Sequence, residues 1–251
     1  MTTMELAEFL NNTLNVANFK DVSNNGLQVA NDGILTKVLC GVDANLKLLH
    51  EAKERGADCI VCHHGISWGD SLKYITALNY ELVSLAIKNN IAIYGVHLPL
   101  DAHPVYGNNA QICQALKLIE LDPAFDYHGQ SIGFTAELAE ALTFEQICAE
   151  VNDQISNSFS ALNFGSASIR KIGVVSGGAA DLVSQAQELG VDLFITGEPS
   201  LLGYNLAEQL KMNLIFAGHY ATEIFGVRAL AEVISQELGI PAECVDYKTP
   251  F

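Results

Sequence analysis

Basic side chains are scarce in this chain: 13 Lys and Arg stand against 29 Asp and Glu, a formal net charge of −16. A surface of that sign repels phosphate backbones, so nucleic acid is not an expected partner. Long apolar runs are missing too. None approaches the ~20 residues that span a bilayer, and the first five residues, Met-Thr-Thr-Met-Glu, show no basic stretch leading into a hydrophobic one. The expectation is a cytoplasmic protein with no membrane association. Charged residues reach only 17% against 49% hydrophobic, which excludes a disordered, charge-rich polymer. Cys40, Cys59, Cys62, Cys113, Cys148 and Cys244 sit in a long apolar-rich chain without an export signal. Most of them are therefore read as small buried hydrophobes rather than as a disulfide framework.

What is present is alternation. Thr2 and Glu5 form a capping box ahead of Leu6, Leu10 and Leu14, which predicts a first helix. Asn24-Asn25-Gly26 marks a turn before a short extended piece at 27–29. Apolar runs at 38–42, 59–62 and 91–96 then alternate with helical stretches at 46–52, 76–88 and 108–118, the first of them closed by Gly56. The segment from about 120 to 165 is less regular, with strands expected at 133–138 and 161–164 and a helix at 143–155 capped by Thr143 and Gln146. Alternation resumes with strands at 172–175, 193–196, 214–217 and 244–247. Helices are expected at 181–189, after Pro199, and at 222–238. This pattern predicts an α/β fold of parallel βαβ units. The expected organisation is an N-terminal half (1–119), a connecting segment (120–165) and a C-terminal half (166–251), packed separately or as one compact domain.

The two halves resemble each other. Residues 52–64 (AKERGADCIVCHH) and 186–198 (AQELGVDLFITGE) share Ala, Glu, Gly and Asp and align His64 with Glu198. Residues 91–101 (IAIYGVHLPLD) and 213–223 (NLIFAGHYATE) align His97 with His219 and Asp101 with Glu223. Any two βαβ units share a generic likeness, but the repeated His and carboxylate at equal spacing favour internal duplication. Two similar halves facing each other across a crevice is the expected architecture.

In α/β sheets ligands bind beyond the carboxyl ends of the strands, where these polar groups fall. Adjacent residues of an extended chain point to opposite sides, so His63 and His64 are suited to two neighbouring ions rather than one. His219 and Glu223, four residues apart, share a face at a helix start. Paired cations about 3.5–4 Å apart are a common hydrolytic arrangement. His63, His64, Asp101, His219 and Glu223 are thus the candidate ligands of a pair of divalent metal ions. Imidazole and carboxylate without thiolate suit Zn, Mn, Fe, Co or Ni. The competing reading is ordinary polar caps at strand ends. His97 and Glu198, the remaining members of the repeat, are the candidate catalytic residues as proton shuttles; they serve equally as partners that orient ligands, or as satisfied polar residues at the rim.

Three further features carry less. Cys59-Ile60-Val61-Cys62-His63 matches the covalent haem pattern, but on a buried strand its two thiols point to opposite faces. Ser176-Gly177-Gly178, between strand and helix, offers amides to a phosphate or is a plain tight turn. Trp68 stacks on a planar substrate such as a purine, or packs at a subunit contact.

In this order, Asn25-Gly26-Leu27-Gln28-Val29, His63-His64-Gly65, His97-Leu98-Pro99-Leu100-Asp101, Gly107-Asn108-Asn109, Ile195-Thr196-Gly197-Glu198 and Gly218-His219-Tyr220-Ala221-Thr222-Glu223 resemble the Nif-three-like family, also called GTP cyclohydrolase I type 2 homologues, from about residue 22 to 247. Asn24 stands where that family often has Pro, and the short middle resembles its compact form. The resemblance implies a dinuclear metal centre in a toroidal homohexamer, with His63, His64, Asp101, His219 and Glu223 as ligands. It also implies a metal-dependent hydrolase acting on a small molecule or nucleotide. For GTP, that means attack at C8 of guanine, opening the imidazole ring, with His97 or Glu198 moving protons. The sequence carries no dedicated triphosphate-binding motif, so a non-enzymatic metal-binding or adaptor role for such a ring stands as the alternative.

Overall fold

The computed structural model describes residues 1–247 and Thr249. The chain forms two compact units. The first comprises Met1–Leu100 and Gly226–Tyr247, and the second Asp101–Phe225.

The first unit opens with α1 (Thr3–Thr13), whose Thr2–Glu5 capping box is formed as the sequence predicts. It continues through β1 (Gly26–Val29), β2 (Val38–Asp43), α2 (Leu46–Arg55), β3 (Cys59–His64), α3 (Ala77–Lys88) and β4 (Ala92–Gly95). Gly56 ends α2 at φ +66°, a left-handed closure that turns the chain into the β3 approach at little steric cost. Next come α4 (Leu98–Ala102), α5 (Asn108–Ala115), β5 (Ile119–Tyr127), β6 (Gln130–Thr143), α6 (Phe144–Gln154), β7 (Ser160–Leu162), β8 (Ser168–Val174), α7 (Val183–Glu188), β9 (Leu193–Thr196), α8 (Leu201–Leu210) and β10 (Asn213–Phe216). The chain closes with α9 (His219–Leu238) and β11 (Ala242–Cys244). No helix among the described residues is long and apolar enough to cross a membrane.

The first sheet has the order β1-β4-β3-β2-β11, parallel except for the antiparallel edge strand β1. Its core gathers Leu48, Leu49 and Ala52 of α2 against Leu39, Ile60 and Ile93. The second sheet has the order β5-β6-β8-β9-β10-β7, with only β8, β9 and β10 parallel. Its core packs Phe134, Phe144, Ile147 and Val151 against Ile172, Leu193 and Ile215. Each such side chain contributes on the order of 1.5–3 kcal/mol by leaving water. The class is α/β, as expected.

Several local expectations shift. The middle of the chain is a long antiparallel pair, β5 with β6. β5 escapes sequence reading because Pro123 interrupts it, and a sheet-edge strand is one place where Pro is tolerated. The last strand lies at Ala242–Cys244 rather than 244–247, and it pairs with β2 in the first sheet. The first compact unit is therefore discontinuous in sequence, and the units divide after Leu100 and Phe225, whereas the sequence suggests segments 1–119, 120–165 and 166–251. α8 begins after its N-cap Ser200, which leaves Pro199 outside the helix. α9 begins at His219, three residues before the expected start.

Candidate metal centre

In the first unit, parallel register sets Asp43 beside His64 and Cys62 beside Gly95. The carboxyl ends of β2, β3 and β4 thus collect Asp43, His63, His64 and His97. His63 is fully buried, and its Nδ1 lies 3.1 Å from the Val96 carbonyl. Nδ1 of His64 lies 2.9 Å from Asp43 Oδ1. Nδ1 of His97 lies 3.0 and 3.2 Å from the two Asp21 oxygens. A carbonyl or a carboxylate only accepts, so each Nδ1 carries the proton, and in the neutral ring Nε2 keeps the lone pair.

The ring centroids lie 4.6 Å apart for His63–His64, 5.1 Å for His63–His97 and 5.8 Å for His64–His97. One ligand atom from each falls within 4.8 Å of the others, a group able to hold a metal ion. The adjacent histidines are closer than strict strand alternation suggests. They sit at the strand's last two positions, His63 drawn toward the β4 side by Val96 and His64 toward the β2 side by Asp43.

Asp21 is the anchor of this cluster. It accepts from the amides of Ser23 and Leu98 and from Asn25 Nδ2, each at 3.0 Å, while Asn25 Oδ1 accepts from the His97 amide at 2.8 Å. Burial opposes its ionisation, yet the hydrogen bond and charge of His97, with Asn25 and the Ser23 amide, hold the carboxyl well below the usual range. Trp68 donates its indole N–H to Gly65 O at 2.8 Å and stands edge-on to His97 at 5.0 Å.

In the second unit, Asp101 is buried and its Oδ1 accepts from Asn108 Nδ2 and Ser176 Oγ, both at 2.9 Å. His219 opens α9. Its Nδ1 lies 2.7 Å from Glu198 Oε1 and its Nε2 3.0 Å from Glu223 Oε1, one turn along the helix. The Glu223 hydrogen bond, with a smaller push from Glu198 and against burial, raises the His219 pKa to about 9. Gly177 closes over this pair at φ +66°. A Cβ there would meet Glu223 Oε1 at 2.4 Å and His219 Nε2 at 3.3 Å, so only glycine fits. The Gly177 amide donates to Thr222 Oγ1 and the Ser176 amide to Asn109 Oδ1. These amides are committed within the fold, which favours the tight-turn reading of Ser176-Gly177-Gly178 over a phosphate cradle.

Among the seven residues singled out in the sequence, His63, His64 and His97 come together in the first unit. His219, Glu223 and Glu198 come together in the second, where Asp101 is fixed by Asn108 and Ser176. Sequence reading missed Asp21 and Asp43; Asn108, Ser176 and Thr222 stand in motifs it quoted, without the hydrogen-bonding roles seen here. Asp43 was within reach, since it ends a strand beside His64. Asp21 was not, because it lies in an irregular loop 76 residues from His97. Cys59 and Cys62 are buried free thiols on β3, and desolvation pushes Cys59 up to about 12 and Cys62 well above its usual range, consistent with the inert reading.

The fold and these clusters define an α/β protein with histidine and carboxylate groups gathered at strand ends. The chain belongs to the Duf34/NIF3 (NGG1p interacting factor 3) family, matching it over residues 1–250. It is 38% identical over 245 residues to a Deinococcus radiodurans protein named GTP cyclohydrolase 1 type 2 homolog, covering 98% of this chain and 93% of the relative. A protein of the same name from Archaeoglobus fulgidus is 37% identical, with 99% of each chain covered. Among solved structures, a Thermus thermophilus protein superposes with a TM-score of 0.90 at 30% identity over 100% of both chains.

Proposed function

We propose that the protein holds two divalent metal ions through His63, His64, Asp101, His219 and Glu223 and acts as a metal-dependent hydrolase resembling GTP cyclohydrolase I type 2. The observation that carries this reading is the common orientation of the histidines. In His63, His64 and His97 alike, Nδ1 is tied to an oxygen, which presents Nε2 as the ligand atom; His219 Nδ1 is tied to Glu198 in the same way, but its Nε2 is paired with Glu223 and must give up a proton before it ligates. A carboxylate or carbonyl behind the ring is the usual support of a metal-binding histidine. Neutral imidazole and carboxylate without thiolate fit Zn, Mn, Fe, Co or Ni.

Divalent ions bound there supply Lewis acidity and a water acidified toward neutral pH. The chain's own groups do the rest. Asp43 and Asp21 fix the rings of His64 and His97. Glu198 orients His219 through Oε1, and its exposed carboxylate is placed to exchange a proton with solvent or substrate. His97, anchored by Asp21, is the second proton-handling group. The names of the relatives point to GTP as the first substrate to try. Assembly as a homohexameric ring belongs to the same proposal and rests on the family resemblance; light scattering measures it.

The test is GTP turnover by the metal-loaded protein, followed through the ultraviolet change as the guanine imidazole ring opens. The expected result is turnover that chelation abolishes and that His97→Ala loses while retaining its metal. A protein loaded with two ions per chain that leaves GTP intact contradicts the hydrolase reading and supports the adaptor role.

A further inference from the structure

A cavity of about 220 Å³ opens within the second unit, and none of its described lining residues is a candidate metal ligand. Strand register accounts for it. β6 sets Glu137 opposite Lys171 of β8 and then Leu142 opposite Ile169, so residues 138–141 of β6 face the single Arg170. Surplus residues of that kind bow a strand away from its partner. The gap is walled by Leu118, Leu138, Leu142, Ile147 and Ile172. Lys117, Glu140 and Glu150 add the ionisable groups. Lys117 and Glu140 are exposed and Glu150 is half-buried, which puts the charges toward the mouth and the aliphatic groups at the base.

Lys117 is held where it stands. It closes α5 in the left-handed conformation at φ +56°, its amide donating to Gln114 O at 3.0 Å and the Leu118 amide to Cys113 O at 2.9 Å. Glycine is the usual residue at such a helix end, so lysine keeps its side chain there at a steric cost. Among the described residues, none of Lys117, Glu140 and Glu150 has its side chain in an ion pair or a hydrogen bond.

Each feature restricts the ligand. An apolar cavity of about 150 Å³ accepts a benzene-sized molecule, so this one has room for a branched alkyl group and a small polar head. The described lining holds no aromatic ring, which favours an aliphatic group over a stacked one. The head must answer both signs of charge. A bare carboxylate meets Lys117 but is repelled by two glutamates, and a bare amine meets the glutamates but is repelled by Lys117. A head carrying both charges satisfies all three. From this geometry we propose that the cavity binds a free α-amino acid with a branched aliphatic side chain, of leucine size. Its side chain lies among Leu118, Leu138 and Ile147, its carboxylate on Lys117 and its ammonium between Glu140 and Glu150. Joining the amino acid into a peptide removes one of the two charges, so a peptide end is a poorer fit. The binding does not depend on the metal centre or on hydrolysis.

The test is calorimetric titration of the full-length protein with leucine, glycine, 4-methylpentanoate and 3-methylbutylamine. Leucine should bind the wild type. Glycine should bind roughly tenfold or more weakly, because it buries no aliphatic side chain. Each single-charge analogue should also be weaker than leucine, since it keeps one attraction and meets one repulsion. Lys117→Asn retains a residue type that tolerates the left-handed backbone. It should weaken leucine by up to about fivefold, the scale of an exposed charge pair, and Glu140→Gln should act alike. Ala139→Trp, at an exposed lining position, should abolish binding by filling the mouth. Unfolding midpoints measured beside the titrations separate lost binding from lost folding. Leucine that fails to bind the wild type, or binds Ala139→Trp unchanged, overturns the proposal. Either single-charge analogue binding as tightly as leucine overturns the amino-acid assignment.

Discussion

The two units share a scaffold and differ in the chemistry at its end. In the first, Asp58 Oδ2 accepts the amides of Thr36 and Lys37 at 2.6 and 3.1 Å. In the second, Asp192 Oδ2 accepts the amides of Arg170 and Lys171, both at 2.9 Å. Every one of these residues is displaced by the 134 positions that align residues 52–64 with 186–198. Both sheets also contain three neighbouring parallel strands, β2-β3-β4 in one and β8-β9-β10 in the other. This correspondence supports an internal duplication.

Beyond the shared strands the units part company. β3 delivers His63 and His64, and β9 leads to Gly197 and Glu198. The first cluster is rich in imidazole, with each ring tied behind by a single acceptor residue. The second sets one imidazole between two carboxylates. Similar strand arrangements thus carry an imidazole-rich cluster in one unit and a carboxylate-rich one in the other.

The largest effect is expected at Gly177. Gly177→Val places branched carbon into Glu223 Oε1 at a left-handed backbone position, so the His219–Glu223 pair must move. The expected outcome is loss of most bound metal with the chain still folded, read by elemental analysis beside circular dichroism.

Next are the paired scaffold aspartates. Asp58→Ala and Asp192→Ala each strand two backbone amides, at a cost on the order of 1–3 kcal/mol per unsatisfied group where it is buried. Denaturant unfolding should show similar losses for the two variants, with metal content retained. A large loss from one and none from the other would weaken the duplication.

The third effect is pH dependence in the chelated protein. His219 titrates near 9 in the fold against an ordinary 6.5. The stability its proton contributes is therefore fully present below about pH 6.5 and is lost as pH rises through about 9. Unfolding midpoints at pH 6.5 and 9.5 should differ in that direction, and Glu223→Gln should reduce the difference. The smallest effect is at a helix cap: Thr143→Ala removes the α6 capping box. It should cost about 1 kcal/mol and lower Tm by about 2–4 °C, with no change in metal content.

Much of this was legible in the sequence because the signals are local. Capping boxes at Thr2 and Thr143, Gly56 after α2, and apolar runs ending in His63-His64 all depend on neighbours within a few residues. Asp58 and Asp192 were visible as identities in the repeat, although not as amide acceptors. What stayed hidden depends on long-range closure. The bond from Asp21 to His97, the pairing of β11 with β2, and the edge strand β5 carrying Pro123 become apparent only when distant segments meet.

Metal content per chain tests the central claim most directly. It is measured by elemental mass spectrometry on untagged protein purified without chelators, alongside His63→Ala and Glu223→Ala. Close to two transition-metal ions per chain in the wild type, falling sharply in both variants, is the expected result. No stoichiometric metal in the wild type, even after supplying Mn, Fe or Zn, would contradict the dinuclear reading.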